Sequence, residues 1–199
     1  MDADVRLTTD LADDLDRAFD ALVVAHQDRL YTIALRMLGD AGDAEEAAQD
    51  ALVRAYRALA TYESARIREL KLRGWLTTIV LNRCRSLAAR RASRGPKPLS
   101  IDADQTRPIE AAAPEGAGPS ASAERHAARE RWATRLKALP ASYRTAVVLR
   151  HVDGMSYPEA AAVLGRPEGT VKAQVHRGIA LLRTMLEAEG RRELEEMTA

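Results

Sequence analysis

Aromatic side chains are scarce in this sequence, at 4% of 199 residues, and Phe19 is its single phenylalanine. Any core must therefore be assembled mainly from alanine, leucine and valine, and the first two favour helix. Cys84 is the only cysteine, which excludes an internal disulfide and reads as a structural residue in a reducing compartment. The four histidines, at 26, 126, 151 and 176, have no metal-ligand spacing, and no glycine-rich phosphate loop or nucleophile–base motif is present. No apolar run reaches the length of a membrane span, and the first residues, MDADVRLTTDLADDLD, are acidic where a signal peptide would be basic. These absences argue against an enzyme, a metal or cofactor site and membrane insertion. They favour a cytoplasmic, all-α protein.

The charges are nearly balanced overall, at +1, but unevenly placed. Residues 1–20 hold seven aspartates against Arg6 and Arg17, and residues 40–50 hold Asp40, Asp43, Glu45, Glu46 and Asp50 with no base. Between 66 and 97 the balance reverses, with ten lysines and arginines against Glu69 alone. Such a stretch suits a polyanion, and the acidic surface nearby is left for a protein partner.

Five of the eight prolines fall between Pro96 and Pro119, in a segment rich in Ala, Gly and Ser without apolar periodicity. It reads as a flexible linker over 94–123, between two small helical domains: an N-terminal helical bundle over 18–93 and a C-terminal domain over 124–188. An acidic extension over 1–17 and a charged tail over 189–199 flank them. The 30 linker residues have an r.m.s. span on the order of 30 Å and an extended limit of about 100 Å. In the first domain Leu30, Ile33, Ala34, Met37 and Leu38 make a helical stripe that stops near Gly39-Asp40. A second helix turns Ala44, Ala47, Ala48, Ala51, Leu52, Ala55, Tyr56 and Leu59 inward and Glu46, Gln49, Asp50, Arg54 and Arg57 outward. A third runs from about Leu72 to Arg91, with Trp75, Leu76, Ile79, Val80 and Leu87 as candidate core.

Residues 154–183, GMSYPEAAAVLGRPEGTVKAQVHRGIALLR, read as two helices around a tight turn. Ser156 and Glu159 have capping-box spacing, Pro158 fits a first helical turn, and Gly165 suits a left-handed stop. Val171, Val175, Ile179, Leu182 and Leu186 then form one stripe of a helix. This is a helix-turn-helix pattern, whose second helix enters the DNA major groove. Arg166, Thr170, Lys172, Ala173, Gln174, His176 and Arg177 lie off the apolar stripe, where Lys, Arg and Gln have the donors to read base edges or hold phosphates.

Three segments in order now resemble one family. DAEEAAQDALVRAYRAL (43–59), RGWLTTIVLNRCRSLAARR (73–91) and LPASYRTAVVLRHVDGMSYPEAAAVLGRPEGTVKAQVHRGIALLR (139–183) are similar to bacterial RNA polymerase sigma factors of the extracytoplasmic-function (ECF) group. The resemblance implies a factor that binds core RNA polymerase through the first segment, at Glu46, Gln49, Asp50, Arg54 and Arg57. It implies −10 promoter recognition and opening by the second, at Trp75, Asn82, Arg83, Arg85, Arg90 and Arg91, and −35 binding by the third. An anti-sigma protein is an implied further partner. Ser86 stands where the family often has Asp, and Ala173 and Gln174 stand where Ser and Arg are common. A helix-turn-helix regulator bound to an operator is the alternative, but it leaves the basic stretch and the 43–59 helix without a role.

Overall fold

Helix boundaries in this protein are set by short polar and glycine signals. The computed structural model describes residues 3–94, 128 and 131–198, and every regular element among them is helical. The chain divides into two units, Met1–Ala113 and Pro114–Ala199. The expected linker, apart from Arg94, lies outside the described residues.

The first unit comprises α1 (Ala3–Asp13), α2 (Leu15–Leu38), α3 (Ala41–Leu59), α4 (Ser64–Arg68) and α5 (Leu72–Arg94). Asp14 caps α2 by accepting from the Arg17 N–H, and Gly39 ends it at φ 67°, where a side chain would be strained. Asp40 then caps α3 through the Asp43 N–H at 2.9 Å. α3 packs against both α2 and α5. Its buried face is almost entirely alanine (44, 47, 48, 51, 55), and small side chains let neighbouring helices lie close. Leu22, Leu30 and Ile33 of α2 and Leu76, Val80 and Leu81 of α5 complete the core. Arg29 ties α2 to α5 by donating to Thr77 Oγ1 at 2.6 Å. Tyr56 and Leu52, expected inside, are displaced toward the rim. Tyr56 is 37% exposed, edge-on to Phe19 with its hydroxyl donating to Asp16 at 2.6 Å.

The acidic N-terminus is not an appendage. Residues 3–13 form α1, which packs on α2 and α4 and buries Leu7, Thr8 and Leu11. Asp13 pairs with Arg68 at 2.5 Å, and Ser64 donates to the Ala12 carbonyl. Seven aspartates hid a short i, i+4 apolar stripe that suffices to dock the helix.

Cys84 lies in the core of this unit, and burial pushes its thiol up to about 12, against a smaller pull from Arg85 and Arg83. The unfolded thiol ionises first, so the group's contribution is intact below its ordinary value of 9.0 and declines as pH rises from there toward about 12. We expect the native protein to resist alkylation by iodoacetamide near neutral pH and to react once denaturant unfolds it. Stoichiometric labelling of the native chain, read by mass spectrometry, would contradict this burial.

The second unit begins with α6 (131–138) and α7 (Ala141–Val147), which runs into one wide helical turn, Val148–Val152. That turn closes with the Asp153 N–H on the Val148 carbonyl at 2.9 Å, five residues back. α8 (Tyr157–Leu164) and α9 (Glu168–Thr198) follow. Ser156 and Glu159 make the reciprocal capping box, and Gly165 at φ 61° ends α8, with the Arg166 N–H on the Ala161 carbonyl. Leu136, Leu139, Val147 and Leu182 form a core against which Ile179 and Met185 pack. Residues 189–198, expected as a tail, continue α9 as helix, and Arg135 of α6 holds Glu189 through both Nε and Nη2. Leu186, expected in the buried stripe, is 39% exposed on α9 just before this extension.

Candidate nucleic-acid and protein interfaces

In the second unit, α9 is seated on its own unit by Val171, Val175 and Leu182, all buried. Gly178 continues that buried side, close enough to α7 that an added Cβ would lie 2.6 Å from Val147 Cγ2. This seating turns the intervening positions outward. Thr170, Lys172, Ala173, His176 and Arg177 are exposed, and Gln174 is half-buried. Arg166, in the turn before α9, donates from Nη1 to Gln174 Oε1 at 3.1 Å. All seven residues expected at a DNA surface thus lie on the first three turns of α9 or beside its start. Lys and Arg supply donors for guanine or phosphate, and the Arg166 bond leaves the Gln174 amide nitrogen to donate.

In the first unit the residues expected to meet the promoter are divided. Asn82, Arg85 and Arg90 are exposed on α5, and Arg85 donates to Asn82 Oδ1 at 2.7 Å. Trp75 is half-buried, 6.2 Å from the Tyr62 ring, and the Arg66 guanidinium lies 3.7 Å over the other ring's centroid, that of Tyr62. Tyr62 and Arg66 extend Trp75 into an aromatic ledge, with the two rings tilted at 56° to each other. Tyr62 escaped notice because it sits in the α3–α4 connection, outside any apolar period.

Arg83 and Arg91 are placed elsewhere than expected. Arg83 is only 8% exposed, with Nη2 on Glu46 Oε1 at 2.7 Å and Nε on Asp50 Oδ2 at 2.6 Å. Arg91 pairs with Asp43 at 2.6 Å and Asp40 at 3.1 Å. The acidic run of α3 and part of the basic run of α5 are therefore each other's partners, because the alanine face of α3 brings the two helices together. The Arg83 guanidinium is enclosed by this pairing, whereas the paired Arg91 side chain stays 39% exposed.

The outer face of α3 keeps the other expected residues together. Glu46, Gln49, Arg54 and Arg57 are exposed and Asp50 is partly so. Arg54 donates to Asp50 Oδ2 at 3.2 Å, and Gln49 to Glu45 at 3.1 Å. The result is a mixed-charge helical face suited to a charged helical partner. Among the described residues no cluster of His, Cys, Asp or Glu is placed to hold a metal, and no helix is long and apolar enough to cross a membrane.

Comparison with known proteins matches residues 22–94 to the sigma-70 region 2 family and residues 129–182 to the sigma-70 region 4 family. The chain is 34% identical over 171 residues to the ECF RNA polymerase sigma factor SigE of Mycolicibacterium smegmatis, covering 85% of this chain and 62% of that protein. It is 29% identical to the ECF sigma factor SigW of Bacillus subtilis, over 85% of this chain and 89% of that one. Among solved structures, CnrH in complex with the cytosolic domain of CnrY is similar at TM-score 0.66 and 29% identity, covering 94% of this chain and 99% of that chain. The sigma factor RpoE in complex with the anti-sigma factor NepR, from Bartonella quintana, shares the fold at TM-score 0.62 and 23% identity, over 85% of this chain and 96% of that one.

Proposed function

The chain belongs to the ECF group of the sigma-70 family, and on that footing we propose that it binds core RNA polymerase in the cytoplasm and directs initiation at promoters read at two elements. One observation carries the reading: a region 2 match and a region 4 match lie in family order on one chain, each with an exposed polar face of the right chemistry. It is an initiation factor, not an enzyme. In this reading the outer face of α3 docks on the polymerase. Asn82, Arg85 and Arg90, with the Trp75–Tyr62 ledge, meet the −10 element, where an Asn amide can hydrogen-bond an unstacked base and rings can stack on one. The start of α9 meets the −35 element. CnrH, the more similar of the two solved relatives, is in complex with the cytosolic domain of CnrY, which supports a regulatory protein partner here as well.

Run-off transcription with purified core polymerase tests the function directly. Promoter-dependent transcripts are the expected result; operator binding without transcripts would favour the regulator instead. A second expectation concerns docking. Arg54 makes only an exposed i, i+4 pair, worth about 0.5 kcal/mol to the fold. Arg54→Glu should therefore leave the melting temperature nearly unchanged while weakening core binding by about tenfold or more, as loss of an interface anchor does. Equal core affinity of the two proteins in an equilibrium titration would remove α3 from the interface.

A further inference from the structure

We propose that Arg83 is a positioning residue for polymerase docking: from within the α3–α5 contact it fixes the Glu46 and Asp50 carboxylates in the orientation a partner meets. The inference rests on reading α3 as the docking face. Glu46 and Asp50 are one helical turn apart, so their side chains share a face. One guanidinium reaches both: Nη2 donates a hydrogen bond to Glu46 Oε1 at 2.7 Å, and Nε makes an ion-pair contact with Asp50 Oδ2 at 2.6 Å without hydrogen-bond alignment. The burial is strongly unequal. The Arg83 side chain is 8% exposed, whereas those of Glu46 and Asp50 are 54% and 32% exposed. The arginine is thus the fixed member and the acids the presented ones.

Each carboxylate gives Arg83 one oxygen and keeps its second, Glu46 Oε2 and Asp50 Oδ1, for another donor. Asp50 Oδ2 also holds Arg54 at 3.2 Å, so the same strut orders a cation of that face. A buried guanidinium stripped of its acids would be left as an unpaired charge, which is costly. Arg83 therefore keeps them when a partner arrives rather than releasing them. Its effect is to hold rotamer-rich side chains before binding, so that less ordering is lost on association. Arg83 follows Asn82 in the chain, but it is buried against α3 while Asn82 is exposed.

The test uses the full chain and core RNA polymerase, comparing Arg83→Gln and Arg83→Lys on the wild-type background and on one carrying Glu46→Gln and Asp50→Asn. Arg83→Gln is expected to weaken core binding by about tenfold, the scale of two side chains losing their pre-ordering. On the neutralised background it should add almost nothing, because its two acids are gone. Arg83→Lys keeps the charge but not the two-pronged geometry, and is expected to fall between. At saturating core, promoter opening by the Arg83→Gln holoenzyme should match the wild type. A melting curve establishes that each variant is folded, and Arg83→Lys carries the comparison should Arg83→Gln melt below the assay temperature. Unchanged or tighter core binding, or an equal loss on both backgrounds, overturns the proposal; so does an opening defect at saturation, which would make Arg83 a promoter contact. A loss with Arg54→Glu but none with Arg83→Gln overturns the role of Arg83 alone. No loss with either removes the docking face as well.

Discussion

Gly178→Leu is expected to unfold the C-terminal unit near physiological temperature, and Gly178→Ala to lower its melting temperature measurably. A helical glycine ordinarily costs stability, and replacing it by alanine on an open face gains about 1 kcal/mol. Gly178 reverses that sign. Its missing Cβ is filled by α7, with Val147 Cγ2 at 2.6 Å and the Tyr143 Cβ and carbonyl oxygen each at 3.5 Å. Val147 is 3% exposed and β-branched, so it has no alternative rotamer to retreat into without disturbing Leu136 and Leu182 around it. Overpacking of this kind costs about 1–3 kcal/mol for one added group and more for a larger side chain. The alanine variant should lose on the order of 1 kcal/mol net, and the leucine variant several times that. Gly169 and Gly190 are internal controls on the same helix, since nothing lies within 4 Å of a Cβ built at either. Their alanine variants should melt at or above the wild-type temperature. Val147→Ala combined with Gly178→Ala should lose less stability than the two single changes added together, a non-additivity expected of direct contact. If all three glycine variants melt alike, α9 does not approach α7 as described.

Gly178 also marks where the sequence stops being legible. Signals acting within one helical turn could be read directly: the Ser156–Glu159 box, the helix stop near Gly39, the left-handed stop at Gly165, and the Val171, Val175 and Leu182 stripe all stand in the structure as expected. Features that need a second segment could not. Gly178 is a weakness in its own helix until Val147 is placed against it, 31 residues earlier. Along the sequence the charged runs at 40–50 and 66–97 read as two separate surfaces, because their pairing depends on contacts between helices. Packing of α3 on α5 instead pairs Glu46 and Asp50 with Arg83, and Asp40 and Asp43 with Arg91. The candidate interface is consequently smaller than charge alone suggested, and more ordered. Exposed Asn82, Arg85 and Arg90 remain on α5, and the aromatic shortage is partly offset by placing Tyr62 beside Trp75. α1 is illegible for the same kind of reason: the partner surface that buries Leu7 and Leu11 lies on α2 and α4.

Replacing Lys172 and Arg177 together by alanine is expected to give the largest functional loss while leaving the fold alone. Both side chains are exposed on α9, and neither lies on the Val171–Val175–Gly178 side that seats the helix. A base contact is worth about 1–3 kcal/mol of discrimination, so losing two should weaken −35-dependent promoter binding by the holoenzyme by about 30-fold or more. The salt dependence assigns each contact. A residue that neutralises a phosphate lowers the slope of log K against log salt by about one when removed, and weakens all sequences alike. A base reader leaves most of the slope and loses discrimination at one position. Gln174 supplies the contrast. Arg166 occupies its Oε1 at 3.1 Å, so the amide nitrogen is the group left to donate. Gln174→Glu replaces that donor with an acceptor while keeping the Arg166 partner. It should shift the preferred base at one −35 position, read by selection from a randomised element, whereas Lys172→Ala or Arg177→Ala should only weaken or blur the preference. If the double alanine variant binds promoter as tightly as the wild type at both low and physiological salt, this face of α9 does not meet DNA.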